Sequence, residues 1–447
     1  MEHFDILIVG GGPAGSMAAA AALKTNPTLS VAIVDPDSND RHRIGEALLT
    51  GTIMALADAG LDGVVAEAGF HPKIGASYVW GETRDPWYVN YPRTENDGYP
   101  EAFKDETGYR QSIHVPRNVF DPILRREVQR RGVAIIADKV RTVDTHASEA
   151  GVGILSVTTD GGRKLRAKRY IDCSGHSLAL ARHVTERSPI GSARVARYAY
   201  TKDIDWDQAT RRGFDIHRTN IISTPSGWIW AIHLGEAGGD LTSLGFVSTP
   251  DILSKLTLEN CTEAFPELEW FGFKSGYRGA RTFDGKETDK FYGHPDYSFA
   301  CSTLHGLNWS LAGDAALFID PILSQGVTLA VHYGFMRGRA AALEIAGDHK
   351  VQEHATMNYL REGAVLRKVV GEWYEHNRAV SDWRMGTVMV SKALFGEDLD
   401  EVAAFRWITN LENLRNDYID YHPYPNEERV KIAWALGLEK HLGEANK

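Results

Sequence analysis

Gly10, Gly12 and Gly15 stand at GxGxxG spacing, where missing side chains let backbone N–H groups close on a pyrophosphate at a helix N-terminus. Pro13 and Ala14 lie inside the pattern and lead into SMAAAAALKT, a stretch of high helix propensity. Asp35 ends the apolar run LSVAIVD, where a carboxylate can accept hydrogen bonds from a ribose hydroxyl; its bland alternative is a turn residue before Pro36. Together these residues imply a dinucleotide site without choosing between nicotinamide and flavin. The choice falls to LAGDAALFIDPILSQGVTLA, in which Gly313 and Asp314 follow an apolar run and Gly326 opens an expected helix. That helix N-terminus can stabilise the anionic pyrimidine edge of a flavin, with Asp314 reaching its ribityl or pyrophosphate region, so the pattern favours FAD.

The elements that must position these residues are legible from periodicity. FDILIV reads as a parallel strand covered on both faces, and LSVAIVD as the second. HVPRNVFDPILRREVQRRGV reads as a helix whose start is placed at Asp121 and Pro122, and AIIADKVRTVDTH and GILSVTTDGGRKLRAKRYIDCSG as strands. Residues 78–99, crowded with aromatics and turn formers, look like strands of a substrate region. Between about 190 and 250, apolar and polar positions alternate, with Trp228, Trp230 and Phe246 among them, which predicts an antiparallel sheet roofing a pocket. From about 350 onward, helical spacing predominates. The expected fold class is α/β (α+β). A Rossmann-like FAD-binding domain takes 1–185 and 280–345, with strands from 75–115 on the substrate side; a substrate-domain sheet takes 186–279, and a helical C-terminal region 346–447.

The chain has 447 residues, 43% hydrophobic and 24% charged, enough for a large shared interior and unlike a disordered chain. Its net charge of -10 disfavours nucleic acid and membrane surfaces as partners. MEHFDILIVGGG runs into a strand with no basic n-region or long apolar span, which predicts a cytoplasmic protein. Cys173, Cys261 and Cys301 are far apart without CxxC spacing, so buried thiols are expected and neither a metal site nor a disulfide framework is.

GGGPAG, GEALL around Glu46, VPRNVFD around Arg117 and Asp121, IDCSG around Asp172 and AGDAALFIDP occur in the order found in FAD-dependent aromatic hydroxylases and halogenases. The chain resembles that superfamily, and three further segments are similar to the flavin-dependent halogenases within it. The resemblance implies that Gly10, Gly12, Pro13, Ala14, Gly15, Asp35, Arg43, Glu46, Arg117, Gly313, Asp314, Pro321, Gly326 and Val327 hold FAD. In FHPKIGASYVWG, Lys73 matches the lysine that handles hypohalous acid, in the context of Phe70, Gly75, Trp80 and Gly81. Phe318, Pro321, Ser324 and Gly326 fit the halogenase pattern FxxPxxSxG, with Ser324 beside the flavin and backbone amides that can also host chloride or bromide.

GWIWAIHL looks like the motif WxWxIP, except that His233 stands where the family has Pro; a titratable imidazole there can serve as base or substrate contact. Leu323 stands where tryptophan halogenases carry a Glu, which moves the chain toward phenol and pyrrole halogenases. The implied reaction uses reduced FAD and O2, through a flavin hydroperoxide, to make hypohalous acid that meets an electron-rich phenol, pyrrole or indole at Lys73. With one dinucleotide cradle in view, the resemblance implies a separate flavin reductase as partner, while direct reduction by a transiently bound NAD(P)H, as in single-component hydroxylases, stays open. The alternative is a flavin monooxygenase that hydroxylates its aromatic directly, with His233 as its argument. Its substrate would be free, tethered to a carrier, or a protein-bound tryptophan in quinone-cofactor biogenesis. A non-catalytic FAD-binding protein is a third class.

Overall fold

The computed structural model describes residues 1–36, 43–80, 84–93, 98–191, 193–274, 279–294 and 298–375. FDILIV lies within the strand Glu2–Val9, which pairs in parallel with Val31–Val34 on one side and Lys164–Asp172 on the other. Ala134–Ile136 extends the sheet beyond Val31–Val34, and Trp309–Leu311 joins the end of Lys164–Asp172, both in parallel. The antiparallel strands Val140–Ser148 and Gly151–Thr159 bring it to seven. Alternation sorts the central strand: Ile6 and Ile8 pack with the alanines of the helix Pro13–Thr25, whereas Leu7 and Val9 enter the opposite core.

Pro13–Thr25 runs against the helix Gly326–Ile345 at backbone contact. A Cβ added to Gly334 would come 2.3 Å from the Ala14 carbonyl oxygen, and one on Gly338 would come 2.0 Å from that of Ala18. Small residues on both helices therefore permit a close parallel pairing, in which the second helix starts about two turns before the first.

The second seven-stranded sheet has the order Tyr292–His294, Val195–Thr201, Thr242–Ser248, Gly227–His233, Arg218–Thr224, Gly75–Val79, Pro86–Asn90. It is antiparallel as expected except at one step, where Gly75–Val79 pairs in parallel with Arg218–Thr224. Gly75–Val79 precedes the main run of this sheet by more than a hundred residues, so it joins by a long crossover rather than a hairpin. The expected helix over residues 114–133 also differs. It spans Arg117–Arg130, begins after Pro116 rather than at Asp121, and carries Pro122 inside, where the missing N–H removes one helical hydrogen bond.

The three cysteines are free and buried, as expected. Val351–Glu375 is helical, in line with the C-terminal reading to that point; the rest of that region, and residues 81–83 and 94–97 of the aromatic segment, lie outside the described residues. No described helix is long and apolar enough to cross a membrane.

Candidate active site

A cavity of about 700 Å³ lies between the two sheets. Gly10, Gly12, Pro13 and Ala14 line one side, and Gly15 supports them from behind. Gly10 has φ +103°, and a Cβ on Gly15 would sit 1.9 Å from its carbonyl oxygen. No side chain is tolerated at that turn. Gly12 faces the cavity with nothing nearer its missing Cβ than Asp121 Oδ2 at 3.7 Å, and Pro13 opens the helix. Gly326 and Val327 begin the second helix at the same cavity, so two positive helix ends converge on it. Gly313, at φ +61°, and Asp314 lie beside them.

Asp35 lines the cavity while its Oδ2 accepts the Gly11 N–H at 2.7 Å and its Oδ1 faces Arg125 Nη1 at 3.4 Å. Arg117 binds Asp121 in two-pronged fashion, Nε to Oδ1 at 2.7 Å and Nη2 to Oδ2 at 3.0 Å, and donates from Nη1 to the Ile44 carbonyl. Arg43 Nη1 meets the same carboxylate at 2.7 Å. Two guanidiniums thus share one carboxylate, and Asp314 and Glu46 also act on Arg117. Burial raises Asp314 to about 6 against the pull of Arg117, and raises Glu46 to about 7 against hydrogen bonds from Ser243 and Tyr200. Helix N-termini that open on the cavity, a side-chain-free turn and the guanidiniums of Arg43 and Arg117 fit the pyrophosphate and anionic ring of FAD.

The opposite wall comes from the second sheet, where Tyr198, Thr219, Ile221, Trp228, Trp230 and Ile232 face inward. Trp228 Nε1 donates to the Tyr374 hydroxyl at 2.8 Å and Trp230 Nε1 to Ser243 Oγ at 3.1 Å. Both indole N–H groups are thus committed, and the wall offers π surface to a flat ring. Phe318, Pro321 and Ser324 form a third side. Asp320 caps the turn Pro321–Leu323, accepting from the Ile322 N–H at 2.9 Å, and the turn ends at Ser324 in the left-handed region, φ +58°. A non-glycine residue held there costs energy and keeps a tight turn beside the second helix start.

Lys73 does not line this cavity. It ends the strand His71–Lys73, opposite Ser112 of Ser112–His114, and is 1% exposed. Among the described residues it has no hydrogen-bond or ion-pair partner, only the Tyr91 ring 5.9 Å away, and burial alone pulls its ammonium down to about 7. The buried hydroxyls of Ser112 and Ser77 also lack partners. His114 connects this polar pocket with the cavity. Its Nδ1–H donates to the His233 carbonyl at 2.9 Å, and its Nε2 lies 3.4 Å from Oγ1 of the cavity residue Thr219.

His233 is not where the sequence places it. Because Trp228, Trp230 and Ile232 face the cavity, strand alternation sends His233 to the other face. There its ring lies 4.8 Å from His71 and 5.9 Å from Trp206, with Nδ1 3.3 Å from Thr242 Oγ1. His71 in turn stacks on His217 at 4.6 Å. His233 meets His71 edge-on while His71 stacks on His217, and among the described residues no group of three His, Cys, Asp or Glu side chains can hold a metal ion.

Sequence reasoning missed Arg125, Tyr198, Tyr200 and Thr219. Arg125 falls one turn beyond Asp121 on the face that carries Arg117, and ARYAYT shows the same alternation of aromatics as GWIWAI, so both signals were present. Thr219 has none.

A buried, unpaired ammonium is a stability cost with a defined pH dependence. Its folded-state pKa lies below the unfolded value, so the penalty is complete below about 7, shrinks as pH rises, and vanishes above about 10.4. Lys73→Met is therefore expected to raise Tm by several degrees at pH 6 to 7 and by little near pH 10; calorimetry across that range checks it.

Fold and cavity define a flavoprotein of the aromatic hydroxylase and halogenase type. The tryptophan halogenase family model matches residues 5–105 and 93–340, and the chain belongs to that family. It is 25% identical over 387 residues to a 1H-pyrrole-2-carbonyl-[peptidyl-carrier protein] chlorinase of Pseudomonas fluorescens, covering 84% of this chain and 82% of the relative. It is 28% identical over 401 residues to a tryptophan 2-halogenase of Chondromyces crocatus, covering 83% and 68%. The fold is that of the myxobacterial chondrochloren halogenase CndH, with TM-score 0.70, 23% identity and coverage of 92% and 98%. The protein is an FAD-dependent enzyme that halogenates electron-rich aromatics, with a flavin reductase as partner and halide as co-substrate.

Proposed function

We propose that this enzyme halogenates a phenol or a pyrrole, free or carried on a partner protein, with Lys73 holding the oxidised halogen. FAD, reduced by its partner, supplies with O2 the oxidising equivalent that converts halide to hypohalous acid. Gly10, Gly12, Pro13, Ala14, Gly15, Asp35, Arg43, Glu46, Arg117, Gly313, Asp314, Pro321, Gly326 and Val327 seat the cofactor, and Ser324 shapes the loop between cofactor and substrate. The observation that carries the reading is a buried amine with no carboxylate partner among the described residues to fix its charge; Leu323, 1% exposed, stands where the resemblance places the glutamate of tryptophan halogenases.

Near neutral pH such an amine is divided between two useful forms. As ammonium it donates a hydrogen bond to hypohalous acid and polarises the halogen. As free amine it exchanges one N–H for N–halogen with release of water, and transfer to a ring carbon returns the proton to nitrogen. The committed indoles of Trp228 and Trp230 orient a flat ring without competing for its polar groups, while the hydroxyls of Tyr198 and Thr219 supply polar contacts on the same wall. Relatives named for carrier-bound pyrrole support the tethered form. Three buried free thiols suit the reducing cytoplasm as its place of work.

Incubating the enzyme with FAD, a flavin reductase, O2, bromide and a panel of phenols and pyrroles should give products with the bromine isotope doublet in mass spectrometry. Oxygen-inserted products formed at the same rate with and without halide would overturn the reading. They would restore direct hydroxylation, which has lost its argument from His233 because that ring lies on the far side of the sheet.

A further inference from the structure

Two sides of the cavity, the aromatic wall and the loop after Phe318, come from distant parts of the chain and meet at one hydroxyl. Trp228, 2% exposed, belongs to the aromatic wall; Asp320, 5% exposed, belongs to the loop that carries Pro321, Ser324 and Gly326. Tyr374, from the helix Val351–Glu375, stands between them. It accepts the Trp228 Nε1–H at 2.8 Å and donates its own proton to Asp320 Oδ2 at 3.0 Å. An indole N–H can only donate, so the Tyr374 oxygen accepts from Trp228; burial raises the Asp320 carboxyl to about 7, and its ionised form accepts the tyrosine proton. The Arg194 guanidinium lies 4.1 Å from the Tyr374 ring centroid and holds the ring in place. The other oxygen of Asp320 caps the Ile322 N–H, so the same carboxylate fixes the turn leading to Ser324.

We propose that Tyr374 is a positioning residue for the halogenation site: its hydroxyl ties the aromatic wall to the cofactor-side loop, so that the C-terminal helix sets the distance between substrate ring and cofactor. Among the described residues no hydrogen bond joins the indole to the loop directly, and removal of one oxygen atom breaks the link through Tyr374 while leaving the tyrosine ring against Arg194. Trp228 then keeps a buried N–H without a partner, which favours its rotation into the cavity. The inference rests on FAD occupying the cavity and on the family reaction, and is independent of Lys73.

Tyr374→Phe, Asp320→Asn and the double variant separate this role from general support of the fold. In FAD titrations each single variant should weaken binding about fivefold, and the double variant should be no weaker than the worse single one, because one linkage is lost in each case. Hydrogen exchange should quicken in residues 318–326 and stay unchanged in residues 13–25. In turnover with bromide, the KM for the aromatic should rise severalfold while the rate of oxidation of reduced flavin holds. FAD affinity and exchange at the wild-type level in Tyr374→Phe would overturn the proposal, as would effects that add in the double variant. If Asp320→Asn does not fold, the local exchange pattern of Tyr374→Phe decides alone. Failure of halogenation in the wild type would show in turnover only, leaving the binding and exchange results to stand.

Discussion

Lys73→Ala is expected to bind FAD with unchanged affinity and to lose halogenated product by a factor of about 100 or more, the range found when one preorganised donor at a reacting centre is removed. The expectation follows from placement. Lys73 lies outside the cavity that fits the cofactor, so its removal leaves the cradle, Asp35 and the Arg43–Asp121–Arg117 group untouched. It is a buried amine coupled to the cavity through His114 and Thr219, and the Tyr91 ring lies 5.9 Å from its nitrogen. The variant should also be at least as stable as the parent, since it no longer buries an unpaired charge. Flavin titration, thermal unfolding and product analysis on one preparation check all three. Retained product formation would remove Lys73 from the chemistry, and lost FAD binding would move it into the cofactor site.

Gly15→Ala should have the second large effect, in the opposite place. The added methyl would stand 1.9 Å from the Gly10 carbonyl oxygen, inside a turn whose own glycine is at φ +103°. Neither group is the end of a flexible side chain, so the turn itself must open, and the cost exceeds the few kcal/mol typical of overpacking in a core. Holoenzyme should be absent from purified protein, with FAD affinity reduced at least about 100-fold. Gly63→Ala is the control: no atom lies within 4 Å of the added methyl, and in the helix Asp62–Ala66 alanine is favoured over glycine, so FAD binding and stability should be preserved or improved. Normal flavin loading in Gly15→Ala would mean that the cofactor is not seated on this turn.

The cradle was legible in the sequence because close backbone approach demands glycine whatever surrounds it, and because the apolar run before it and the alanines after it admit few other structures. The central strand, the helix Pro13–Thr25 and the inward-facing Trp228 and Trp230 follow from local period in the same way. His233 shows the limit. Its place in the motif suggested the pocket, yet the alternation that turns Trp228, Trp230 and Ile232 inward already turns it outward; side-chain direction outranks proximity along the chain. The start of the helix Arg117–Arg130 was misplaced because Pro122 was taken for its first turn, whereas Pro116 precedes it and Pro122 is carried inside. What no local pattern reveals is the convergence of distant segments. Asp35 with Arg125, His114 with Thr219, and Trp228 with Tyr374 and Asp320 are set by tertiary packing.

In the proposed reaction the oxidised halogen leaves the FAD cavity and is kept on the protein at Lys73 until it meets the aromatic ring. This step is tested most directly by letting the enzyme react with reduced FAD, O2 and bromide without aromatic substrate, removing small molecules by rapid gel filtration, and only then adding a phenol or pyrrole. Brominated product is expected from the filtered wild-type protein and none from Lys73→Ala treated alike. Equal bromination by the two filtered proteins would contradict it.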